Sequence, residues 1–73
     1  MSEPPEEIPF EVDGIDFVLR VHPDPSGLRG QVFRGDEKVA GVQIYHREDT
    51  EALMVEARRD RAVRRAVERA RSA

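Results

Sequence analysis

His22 and His46 are the two histidines of the chain, and each has a carboxylate two residues further on, Asp24 and Glu48. Two imidazoles and two carboxylates are donors enough for zinc or another divalent ion, provided the fold brings them together. The ends of two strands on one side of a sheet would do that. The His-x-acid pattern is short, however, and both pairs lie beside turns, where polar residues collect for solubility alone. No metal is expected. Nucleophilic chemistry has less to draw on. Ser26 lies in a run of turn residues, Ser2 and Ser72 lie near the chain ends, and Thr50 stands where a helix cap belongs. None sits in an activating context. Cysteine is absent, which excludes a disulfide framework and a thiolate metal site. The reading is of a non-enzymatic protein without a cofactor.

The arginines carry more chemistry. Residues 58–73 hold seven of them against Asp60 and Glu68, a net of +5, whereas residues 1–57 hold thirteen acidic and five basic side chains, a net of −8; the whole chain is at −3. On a helix, Arg58, Arg61, Arg65 and Arg69 follow one side, with Arg64 and Arg71 nearer its flank. Such a stripe can track phosphates, because guanidinium grips them bidentately. No helix-turn-helix or zinc finger accompanies it, and Phe33 with Tyr45 make a thin stacking platform. Nucleic-acid binding through Arg58, Arg61, Arg64, Arg65 and Arg69 is therefore the alternative reading. The first reading is protein interaction, with a second copy or another protein, in which the arginines solvate a helix and balance the acidic remainder.

The elements that must position these side chains follow from patterning. Seventy-three residues make a single core, near the lower end for stability without a staple, so self-association is expected to help. Residues 1–7 are acidic and proline-bearing and read as a flexible tail ahead of a domain spanning 8–73. They show neither the basic flank nor the apolar run of a secretory signal, and no stretch is long enough for a membrane span, so a soluble cytoplasmic protein is expected.

Ile8, Phe10 and Val12 alternate, with Pro9 marking an edge strand, and Asp13-Gly14 is a hairpin signal. Ile15 to His22 is the cleanest alternation in the chain. A turn follows over Pro23–Gly27, then a strand over Leu28–Arg34 with a gap at Gly30, a turn at Gly35–Lys38, and a strand over Val39–Tyr45. The C-terminal third, from about Thr50 to Ala70, is rich in Ala, Leu, Met, Glu and Arg, with no Gly or Pro.

The predicted fold is a small α+β two-layer domain: a four-stranded antiparallel meander followed by one long C-terminal helix. Its apolar stripe comprises Ala52, Val55, Ala62, Val63, Ala66, Val67 and Ala70. That stripe forces Arg59 inside it and leaves Met54 and Ala57 outside. A break near Asp60, or a fifth strand over 52–57 (β-β-β-β-β-α), would relieve the conflict. Two surfaces then offer themselves to a partner. One is the sheet face turned from the helix, where Val18, Phe33, Val39 and Tyr45 gather. The other is the small-residue stripe Ala62, Ala66, Ala70, which permits close helix approach.

Overall fold

Three two-residue turns build the sheet. Asp13 and Gly14 both take positive φ (51° and 83°), as a type I′ turn requires. Pro25-Ser26 forms the second turn, held by Asp24, whose Oδ1 accepts from the Ser26 N–H at 3.0 Å and from the Ser26 hydroxyl at 2.6 Å. Gly35-Asp36 forms the third, with Gly35 at φ 62°. In the computed structural model, which describes residues 6–72, these turns join β1 (Glu6–Val12), β2 (Ile15–Asp24), β3 (Gly27–Arg34) and β4 (Glu37–Tyr45) into one antiparallel sheet of order β1-β2-β3-β4. β1 begins at Glu6, so it takes in two residues assigned above to the tail; the rest of that expected tail lies outside the described residues. β2 runs on through Pro23 to Asp24, shortening the turn expected there.

The C-terminal third is helical, but it is two helices, not the single long one expected, and no fifth strand forms at 52–57. α1 spans Thr50–Arg59 and α2 spans Arg61–Ser72. Asp49 caps α1 by accepting from the Glu51 N–H at 3.0 Å. Asp60 is extended (φ −62°, ψ 135°) and serves both helices. Its N–H donates to the Ala57 carbonyl at 3.3 Å, closing α1. Its Oδ1 accepts from the Ala62 N–H at 2.8 Å and its carbonyl from the Arg64 N–H at 3.0 Å, opening α2.

The reason for the break is the phase of the apolar residues. α1 buries Leu53 and Ala57, both 0% exposed, and leaves Val55 50% exposed; α2 buries Val63, Ala66 and Val67. At about 100° per residue these two faces lie roughly 100° apart on a continuous helix. A straight helix would sink Arg59 or lift Leu53 out of the core. One extended residue lets each helix present its own face, and Arg59 stays in solvent.

Both helices pack on one face of the sheet, α1 across β2, β3 and β4 and α2 against β4. The core between them joins Phe10, Phe17, Leu19, Val21, Leu28, Val32, Ala40 and Val42 to Leu53, Ala57, Val63 and Val67. Each large aliphatic side chain buried there contributes about 1.5–3 kcal/mol. Gly30 allows the close approach that its gap suggested. A Cβ at that position would lie 2.8 Å from Leu19 Cδ1 and 3.1 Å from Leu53 Cδ2. The register shifts between Val32 and Phe33, which face Ala40 and Lys38 in turn and leave Val39 as a bulge. The bulge packs Val39 against the core, so it does not join the opposite face as its alternation implied.

Candidate interaction site

The sheet face away from the helices is the surface that the chain itself does not cover. Alternation along the strands and the pairing register fix who meets there. Pro9 lies opposite Val18, and Val18 opposite Phe33, so the three make one apolar row across β1, β2 and β3. Val18 and Phe33 are half-buried within the monomer. Arg20 closes one side of the row: its guanidinium carbon stands 4.6 Å from the centre of the Phe33 ring, and its Nη2 lies 3.7 Å from Glu7 Oε2. Glu11 and Asp16, cross-strand neighbours, line the other side. A shallow open hollow of about 420 Å³ lies at this end of the sheet, with Pro9, Glu11, Asp16 and Val18 in its wall.

Tyr45 belongs to another part of the same face. It is 61% exposed and pairs with Gly27, at the far end of β3 from Phe33. Six residues of strand separate the two positions, roughly 20 Å. Of the four residues expected to gather, Val18 and Phe33 make one pair, Tyr45 is an outlier, and Val39 turns to the core. Around Tyr45 the face is polar. Its hydroxyl donates to Gln43 Oε1 at 3.3 Å, and the row before it sets His22, Arg29 and Gln43 side by side. Two nitrogens on this face, Arg20 Nε and His22 Nε2, are buried without a hydrogen-bond partner among the described residues. Neither nitrogen reaches the surface, so both are internal orphans of the fold and not open contact points. Sequence reasoning singled out neither in that role, because the signal lies in burial and not in residue type.

The alanine stripe is partly taken up within the monomer. Ala66 is buried in the monomer's own core, and Ala62 packs against that core, while Ala70 is half-buried. The arginines divide into two sets. Arg58 is held down: its Nη1 donates to the Glu11 carbonyl at 2.9 Å and its guanidinium carbon lies 5.6 Å from the Phe10 ring centre. Arg61, Arg64, Arg65 and Arg69 are exposed and make no ion pair among the described residues; Arg71 approaches Asp13 at 4.0 Å. Arg65 and Arg69 border an open groove of about 700 Å³ along α2, together with Ala62, Glu68 and Ser72.

The histidine pairs do not converge. His46 leaves β4 at φ 57° and its N–H donates to the Ser26 carbonyl at 2.7 Å, which makes it a turn residue at the exit of the sheet. Among the described residues no three His, Cys, Asp or Glu side chains form a group able to hold a metal ion. Asp24, the carboxylate nearest His22 in sequence, is engaged by the Ser26 hydroxyl first and the Ser26 N–H second, and both hold its carboxyl below the usual range. No helix among the described residues is long and apolar enough to cross a membrane. No known protein family, curated protein or solved structure matches the chain. The description that stands is of a small α+β domain without a catalytic motif, carrying one uncovered sheet face and one arginine-bearing helix.

Proposed function

We propose that the protein is a non-enzymatic interaction module of the cytoplasm, acting by association with another protein molecule, a second copy first of all. The observation that carries this reading is the one-sided cover of the sheet. Two helices fill one face, while the other keeps the Pro9–Val18–Phe33 row at the surface. A partner that laid an apolar surface on that row would complete the cover of the sheet. The test is solution mass by light scattering across a concentration series. A mass of twice the monomer that falls on dilution is expected, and a monomer at every concentration removes the self-association part of the reading.

One observation favours a second reading. Arg61, Arg64, Arg65 and Arg69 have no acidic partner within the described residues, so the α2 surface stays open to phosphate. A mobility shift of labelled DNA or RNA that weakens steeply with salt supports it, and no shift at low salt ends it.

A further inference from the structure

The two edges of the sheet are differently finished. In an antiparallel ladder successive residues turn their backbone N–H and C=O alternately to one neighbour and the other. On β1 the outward set is marked by Glu11, whose carbonyl accepts from Arg58. Alternation adds Glu7 and Pro9 to that set. Pro9 has no N–H to offer, the Glu11 carbonyl is taken, and Glu6, Glu7 and Glu11 place charge along the strand. Each of these is a device against strand addition.

β4 keeps its charges, Glu37 and Lys38, and its bulge to the end where it begins. The bond from the His46 N–H to the Ser26 carbonyl marks that pair as hydrogen-bonded, so Ile44, Val42 and Ala40 turn their backbone groups to β3. Gly41, Gln43 and Tyr45 turn theirs outward, and no side chain or loop among the described residues bonds to them. From Ala40 to Tyr45 the strand carries no proline and no charge. Above it, Glu56 and Arg59 of α1 line a hollow with Gly41, Val42 and Gln43, and neither makes an ion pair among the described residues.

We propose that β4 pairs antiparallel with β4 of a second copy about a two-fold axis at Gln43, joining two sheets into one of eight strands. This rests on the self-association reading and places the contact at the edge of the sheet instead of on its uncovered face. Gln43 faces Gln43 of the second copy, and Gly41 faces Tyr45 on either side, giving roughly six backbone hydrogen bonds. The pairing accounts for two otherwise unrelated features. Tyr45 is 61% exposed, and Gly41 has open space where its Cβ would be; across the seam the ring covers the glycine. The two-fold also sets Glu56 of one copy toward Arg59 of the other, a self-complementary pair of charges. Because the β1 edge is closed, assembly stops at two and does not continue into a fibre.

The experiment is solution mass against concentration for the full chain, with Gln43→Pro, Glu56→Arg and the exchanged pair Glu56→Arg/Arg59→Glu, alongside amide hydrogen exchange by NMR. Gln43→Pro removes an outward N–H from each copy and leaves the β3 ladder untouched, so the dimer Kd rises roughly 10- to 100-fold. Glu56→Arg weakens the dimer and the exchanged pair restores it. The amides of Gly41, Gln43 and Tyr45 slow at concentrations where dimer forms, while those of Glu7 and Glu11 stay fast. If the proline variant fails to fold by circular dichroism, the charge variants and the exchange pattern decide. A dimer indifferent to the variants, with fast amides at 41, 43 and 45, overturns the edge pairing and leaves self-association standing. A monomer at every concentration overturns both.

Discussion

At Asp24 a single side chain writes a turn. Its carboxylate takes the hydroxyl and the N–H of Ser26, and the first of these does most to hold its pKa down. A lowered carboxylate pKa ties any stabilisation to the ionised form, so it is present above the unfolded pKa and is lost as pH falls through the lower folded value. An NMR titration of the Asp24 carboxyl is expected to give a midpoint below the usual value, and Ser26→Ala to raise it toward that value. At Gly30 the constraint is space. A methyl group there meets Leu19, Leu53 and Val42, so Gly30→Ala is expected to cost about 1–3 kcal/mol by overpacking, read as a lower urea midpoint with an unchanged m-value. Gly30 was legible in advance, since a gap in an otherwise apolar strand face implies a neighbour close by. The exposure of Val55 was not. Val55 and Leu53 compete for the same core, and the larger burial of Leu53 wins only once the helix is allowed to break.

At the scale of elements, the hairpins could be read from residue types because their turns demand particular backbone angles. Asp13-Gly14 is the clearest case, and the strand order follows from loops too short to cross over. The bulge at Val39 left no such mark. Lys38-Val39-Ala40 holds no glycine, and the alternation through it reads as an ordinary strand. The spread of Val18, Phe33 and Tyr45 was equally hidden, because distance along a face depends on pairing register rather than on which side each residue occupies. The finish of the β1 edge makes a prediction of its own. Arg58→Ala together with Pro9→Val restores an acceptor and a donor to that edge. The double variant is expected to form species larger than a dimer at concentrations where the parent does not, measured by light scattering. The cap between the helices is testable alone: Asp60→Ala is expected to cost about 1 kcal/mol in a denaturant titration.

For the whole molecule the charge layout decides more than the net charge does. The negative residues concentrate on β1, the hairpin turns and the start of α1, and the largest group of unpaired positive ones among the described residues, Arg61, Arg64, Arg65 and Arg69, lies on α2. Replacing Arg61 and Arg65 by Ala is expected to leave folding stability within about 0.5 kcal/mol. In a titration of labelled DNA or RNA against salt, the same double variant should flatten the slope by nearly one unit for each phosphate that an arginine no longer neutralises. The helix layer obeys a simpler arithmetic. The apolar faces of α1 and α2 are out of step by about one residue, in the direction that one added residue would cancel. In effect the C-terminal third is a long amphipathic helix with one position deleted, and Asp60 is the scar where the chain takes up the slip. Add an alanine after Arg59 and replace Asp60 by alanine, and the pattern closes into one rod of about 35 Å, longer than any strand beneath it. The present chain, by folding its helix in two, keeps its second layer on the area of its first.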